Sequence, residues 1–97
     1  MEKLTFDYPA NQIVPRRAHV GVVGSGDLEV LIEPSIDGNA HVNVTTSVDG
    51  YSKTWKLVLD RFFSRYRGAA SIEINDFGAT PGSVTLRLQQ AVERSQS

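Results

Sequence analysis

The sequence predicts an α+β domain, a small and mostly antiparallel β-sheet with two helices packed on one face. Three observations carry this expectation. Short segments of alternating apolar and polar residues, separated by Gly/Pro/Asn/Asp turns, occupy the first half of the chain. The period then switches, and Trp55, Val58, Leu59, Phe62, Phe63 and Tyr66 recur at helical spacing. A helix start, Thr80-Pro81, follows one further strand-like segment. The element order ββββαβα suits helices layered on a single sheet.

The elements follow in order. In KLTFDYP, Leu4, Phe6 and Tyr8 alternate with Lys3, Thr5 and Asp7, a strand with one buried face that Pro9 ends. ANQIVPRR reads as a loop. RAHVGVV, residues 17–23, and LEVLIE, residues 28–33, read as two strands of a hairpin around the turn GSGD. PSIDGN is another turn, and AHVNVTTSV, with Val42, Val44 and Thr46 on one face, reads as a third hairpin strand. For the helix that follows, Asp49 or Ser52 can cap the start and Gly68 can end it. SIEINDF reads as a strand with Ile72, Ile74 and Asp76 on one face. Residues 81–94 fit two patterns. Val84, Leu86 and Leu88 alternate as a strand would, whereas Val84, Leu88, Ala91 and Val92 share a helical face; the Thr80-Pro81 start favours a helix.

Composition narrows the function classes. The 97 residues suit one domain, 1–97, with no repeat and no low-complexity segment. They are 40% hydrophobic and 22% charged, a globular balance, and the formal net charge of −1 offers no basic excess for nucleic acid or anionic lipid. The absence of cysteine excludes disulfides and thiolate metal sites. The N-terminal stretch lacks a signal peptide's apolar segment and no run is long enough to span a bilayer, so a cytoplasmic setting is expected.

Candidate chemistry is sparse. His19 and His41 sit inside alternating strands without a local set of metal-ligand partners, and both read as surface or sheet-packing residues. No catalytic residue and no metal site is expected. The stripe of Trp55, Phe62, Phe63 and Tyr66 reads as core, and Lys53, Lys56, Arg61, Arg65 and Arg67 as a solvated face. Gly24-Ser25-Gly26 is not a nucleophile elbow, which needs G-x-S-x-G on a strand-to-helix turn. Nor is it a phosphate loop, which needs Lys-Ser/Thr opening a helix. By local rules it is a turn. What the glycines add is access, because backbone without Cβ atoms lets a large group approach the Ser25 hydroxyl, and their N–H groups suit an anion.

The stretch VGVVGSGDLEVLIE, with LTFDYPA before it and VTTSVDG, Trp55 and IEINDFGATPGSVTLRLQQ after it, closely resembles the acyl carrier (delta) subunit family of bacterial malonate decarboxylase. The SGD core and Asp76-Phe77-Gly78-Ala79 are similar, more distantly, to the acyl carrier (gamma) subunit of citrate lyase. The resemblance spans nearly all 97 residues. It implies that Ser25 carries a covalent 2'-(5''-phosphoribosyl)-3'-dephospho-CoA arm whose thiol holds acetyl and malonyl thioesters while malonate becomes acetate and CO2. It further implies three kinds of partner: an acyltransferase subunit, malonyl-carrier decarboxylase subunits and a prosthetic-group transferase. On that reading the chain is a non-catalytic carrier, which accounts for the missing triad. Gly24, Gly26 and Asp27 support the attachment turn, Asp27 either through an Asx-type hydrogen bond or as a recognition element for the transferase. Better-known acyl carriers are helical bundles with Asp-Ser-Leu opening a helix; here Asp27 follows the serine and the surroundings read as β. The competing expectation is an α+β protein-binding adaptor in which Gly24-Ser25-Gly26 is only a turn.

Overall fold

The computed structural model describes residues 1–22 and 26–96. Its elements are β1 (Glu2–Tyr8), β2 (Ala18–Gly21), β3 (Leu28–Pro34), β4 (Ala40–Thr46), α1 (Ser52–Phe63), β5 (Ala70–Asp76) and α2 (Pro81–Gln96). The strands form one five-stranded sheet in the order β1-β4-β5-β3-β2. All neighbours pair antiparallel except β4 and β5. That parallel pair needs a crossover connection, and α1 supplies it. The expected α+β class with two helices is therefore the observed one.

Alternation puts the apolar side chains of every strand on one face. The register aligns them in rows across the sheet, Leu4–Val44–Ile74–Val30–Val20 and Phe6–Val42–Ile72–Ile32–Ala18. Val44, Ile74, Val30, Val42, Ile72 and Ile32 in these rows are almost wholly buried. Trp55, Leu59 and Phe63 of α1 and Val84, Leu88 and Ala91 of α2 close over them. Each such side chain contributes roughly 1.5–3 kcal/mol relative to an exposed one, so this face is what holds the fold.

Four local expectations need correction. AHVNVTTSV is a strand, but not the partner of LEVLIE: β5 sits between β3 and β4. Inserting β5 lets two strands buried on the same face flank the central strand, a long-range choice that no turn residue announces. Strand β2 ends at Gly21, and Val22 is exposed. Neither Asp49 nor Ser52 caps α1, because Tyr51 occupies the N-cap without a side-chain hydrogen bond. The helix stops at Phe63, ahead of Gly68, and the Ser64 hydroxyl donates to the Arg61 carbonyl at 2.6 Å, satisfying one of the last orphan groups.

Residues 81–94 are helical. Thr80 Oγ1 accepts the Ser83 N–H at 3.2 Å and Pro81 takes the first helical position. The exposed Leu86 decides between the two patterns, since a strand would have turned it to the same side as Val84 and Leu88.

Candidate functional site

One end of the sheet gathers the loops that follow β2, β4 and β5. Its last row of paired residues is Glu2–Thr46–Asp76–Leu28, which replaces the aliphatic rows with two buried polar side chains. Asp76 is 4% exposed and Thr46 1%. A buried carboxylate persists only when its oxygens are satisfied. Asp76 Oδ2 accepts the Thr46 hydroxyl at 2.8 Å, and Oδ1 accepts the Ala79 N–H at 2.9 Å. The carboxylate thus ties β4 to β5 and fixes the turn that leads from β5 into α2.

The Gly26-Asp27 segment is fastened to that turn. The Gly26 N–H donates to the Phe77 carbonyl at 2.7 Å, and the Phe77 N–H donates to the Asp27 carbonyl at 2.9 Å. These bonds extend the β3–β5 ladder beyond the Leu28–Asp76 pair. Gly26 has φ +76°, a left-handed conformation that disfavours side chains, and a Cβ there would meet nothing within 4 Å. Its surroundings are open. Across the hairpin, Gly21 has φ +85°, and a Cβ there would run into the Leu28 carbonyl oxygen. Glycine at 21 lets β2 turn away close against β3.

Asp27 is anchored twice. Its Oδ1 accepts the Leu28 N–H at 2.7 Å, a bond of its own turn. The Arg87 guanidinium on α2 donates through Nε to Oδ1 at 3.4 Å and through Nη2 to Oδ2 at 3.1 Å. Arg87 Nη1 in turn donates to Gln90 Oε1 at 3.0 Å, which orients the fork. The Arg87 bonds first, and the Leu28 N–H second, hold the Asp27 carboxyl below its ordinary pKa. The Leu28 N–H and the Arg87 guanidinium together hold the Asp27 side chain in place; the bond to the adjacent Leu28 is not the Asx-type bond to the residue two positions on.

The structure therefore brings Asp27 and Gly26 together with Arg87, Thr46 and Asp76. Gly24 and Ser25 lie outside the described residues. Arg87 was missed by sequence reasoning, and Thr46 and Asp76 were placed on their strand faces but not assigned to the site. Arg87 lies 60 positions from Asp27 and carries no local signal; only its place beside the Val84/Leu88 stripe hints that it reaches the sheet.

The histidines lie on the opposite, open face of the sheet. His19 Nε2 meets Glu29 Oε2 at 2.9 Å. His41 sits between Asp7 and Asp37, at 2.6 Å from each, and these two carboxylates raise its pKa. Both are surface residues, as expected, and their carboxylate partners are an addition that the sequence did not announce. Among the described residues, no group of three His, Asp or Glu side chains is placed to hold a metal ion, and no helix is long and apolar enough to cross a membrane. Within the aromatic stripe, Trp55 and Phe63 are buried and Phe62 packs edge-on against Phe63. The stripe is core, while Lys53, Arg61, Arg65 and Arg67 face solvent.

The helix-covered, mixed but mostly antiparallel sheet defines an α+β module, distinct from a helical bundle. Comparison with known proteins makes the class specific. Residues 15–95 match the family model described as ACP, malonate decarboxylase delta subunit (MdcD). The malonate decarboxylase acyl carrier protein of Azotobacter vinelandii (strain DJ) is 50% identical over 94 residues, which cover 96% of this chain and 95% of that protein. Its counterpart in Pseudomonas savastanoi pv. phaseolicola is 54% identical, with the same coverage. Among solved structures, a chain from a Pseudomonas malonate decarboxylase hetero-tetramer in complex with malonate superposes with TM-score 0.93 at 49% identity, covering 98% of this chain and 99% of its own. The chain belongs to the malonate decarboxylase acyl carrier protein family.

Proposed function

We propose that the chain is the acyl carrier subunit of a malonate decarboxylase and that Ser25 bears a phosphoribosyl-dephospho-CoA arm through a phosphodiester. The similarity along nearly the whole chain carries this reading, since it includes the Gly24-Ser25-Gly26-Asp27 segment as well as the scaffold beneath it. The open space around Gly26 fits a bulky group on the neighbouring residue, and the bonds at Gly26 and Asp27 supply a fixed base for it.

When bound, the arm supplies a terminal thiol on which acetyl and malonyl groups are carried as thioesters. The protein's own residues attach it, position it and leave room for it. In the attachment step the Ser25 oxygen forms a bond to the α-phosphorus of a triphosphoribosyl donor. The bond from that phosphorus to the bridging oxygen breaks, pyrophosphate leaves, and the serine proton passes to a base on the transferase. Gly24 and Gly26 keep the approach clear, and Asp27, held by Arg87, fixes the side of the loop facing α2. The chain catalyses nothing alone; an acyltransferase and malonyl-carrier decarboxylase subunits act on its acyl groups in the cytoplasm. Tethering raises the local concentration of acyl thioester at those partners to the order of mM.

Intact-mass measurement on protein produced with its transferase tests the reading. The wild-type chain gains the mass of the arm and Ser25→Ala does not. Loading of Ser25→Ala would remove Ser25 as the attachment point, and an unloaded wild type would favour the adaptor reading.

A further inference from the structure

A small pocket lies beside the attachment loop. It opens between the first turns of α1 and α2 and the polar end of the sheet, and its volume is about 240 Å³. Trp55, Val58 and Val84 give it apolar walls, and Thr46 and Asp76 form its floor. Val48, Tyr51 and Thr54, all exposed, stand at its mouth. Its wall includes Gly78, whose Cβ position would lie 4.0 Å from Gly26, the residue next to Ser25. The nearest described part of the loop that bears the serine therefore lies close to the pocket's rim, one side-chain atom's breadth away.

We propose that this pocket seats the acetyl thioester end of the chain's own arm; the inference rests on the carrier reading above. Four features support that occupant. The pocket's size equals about eight water volumes, enough for a short acyl thioester and too small for a nucleotide. Its walls are apolar, so water is displaced from the thioester rather than offered to it. Its floor selects by charge. Both Asp76 oxygens are already engaged by donors, and among the described residues no cation pairs with the carboxylate where it faces the pocket. A second carboxylate is repelled there, so an acetyl group is admitted and a malonyl group is kept outside. Finally, the tether lowers the affinity required. At an effective concentration of the order of mM, an intrinsic Kd of about 0.1 mM leaves the acetyl end seated about nine-tenths of the time.

Seating has a consequence for the reaction cycle. The acetyl form, which waits for the next malonate, is sheltered from hydrolysis. The malonyl form, which must reach the decarboxylase, stays exposed. Trp55 is the chain's single tryptophan, so the pocket carries its own reporter.

The test uses holo-carrier whose loading is first verified by intact mass, then converted to its S-acetyl and S-malonyl forms. Absence of the arm at this stage overturns the carrier reading itself. With the arm present, the Trp55 indole N–H resonance is expected to move between the thiol and acetyl forms and to stay in place in the malonyl form. Hydroxylamine cleavage of the acetyl thioester is expected to be about tenfold slower than that of a small free thioester, as a nine-tenths seated population requires. Thr54→Phe, at an exposed mouth position, and Ala79→Leu, on the pocket wall, narrow the pocket. Each is expected to restore the fast cleavage rate, with far-ultraviolet circular dichroism showing the fold retained. A loaded carrier whose Trp55 resonance and cleavage rate ignore acetylation would overturn the proposal and leave the carrier reading intact.

Discussion

The two ends of the sheet are built on different principles. At the end carrying Tyr8, the closure is aromatic: Tyr8 stacks on Phe63 with ring centroids 4.4 Å apart, and its hydroxyl donates to Asp60 at 2.7 Å. Burial first, and the Asp60 bond second, push the Tyr8 phenol far above its ordinary pKa, so it remains a donor throughout the working range. At the other end the closure is polar, with Asp76, Thr46 and the backbone of residues 26, 27 and 77 sharing hydrogen bonds. Stacked rings seal a surface. Directional bonds can fix a loop while leaving the space beside it open. The aromatic end therefore supports stability, and the polar end is suited to holding an attachment site.

Substitutions can break this contrast. The largest effect is expected at the sealed end. Phe63→Ala removes a 3%-exposed ring from the core and should cost about 3–5 kcal/mol in denaturant unfolding, while the fraction that remains folded still accepts the arm. At the polar end, Asp76→Ala orphans the Ala79 N–H and leaves the Thr46 hydroxyl only its bonds to the Val48 backbone. A loss of about 1–3 kcal/mol is expected, together with slower loading by the transferase, read as arm mass gained against time. Arg87→Ala sharpens the comparison further, because its ion pair with Asp27 is partly exposed. Its effect on stability should be smaller than that of Asp76→Ala. Its effect on loading should appear as a raised KM for the carrier, with Arg87→Lys recovering only part, since Lys lacks the two-pronged geometry.

The smallest effects are pH-dependent. The Asp27 pKa is lower in the folded state, so its stabilising contribution is present above the ordinary carboxylate pKa and lost as pH falls through the folded value. The difference in midpoint between wild type and Asp27→Asn should therefore close under acidic conditions. His41 has the opposite sign. Asp7 and Asp37 raise its folded pKa, so its contribution is full below the unfolded value of about 6.5 and disappears as pH rises through the folded value. His41→Gln should lower the unfolding midpoint at mildly acidic pH and leave it nearly unchanged in alkaline buffer. It should not alter loading at any pH, because His41 lies on the open face near the aromatic end.

How much of this was legible in the sequence follows from the range of each interaction. Local period placed the strands apart from the end of β2, the presence of the first helix though not its ends, and the core stripe containing Trp55 and Phe63. The Thr80-Pro81 start settled residues 81–94 because capping acts within one turn. The insertion of β5 between β3 and β4 was invisible, since strand order depends on contacts far apart in the chain. The same holds for Arg87 with Asp27 and for Thr46 with Asp76, pairs separated by 60 and 30 positions. The start of α1 was misread for a different reason. Asp49 and Ser52 are good capping types, but the N-cap position falls on Tyr51, φ −109° and ψ 22°, with no side-chain cap bond. At the site, Gly26 and Asp27 were identifiable from the turn, whereas the pocket beside them is assembled from two stretches far apart in the chain, 46–58 and 76–84, and has no linear signature.

The central claim is that Ser25 is the point of attachment. Cleavage after Arg17 and Lys53 releases one peptide, residues 18–53, that contains Ser25 along with Ser35, Ser47 and Ser52. Ser35 has a buried hydroxyl, whereas Ser47 and Ser52 are exposed, so the peptide contains its own controls. Fragment-ion mapping of this peptide, from chain isolated out of cells growing on malonate, should place the whole added mass on Ser25. An unmodified peptide, or the mass on Ser47 or Ser52, would contradict the account.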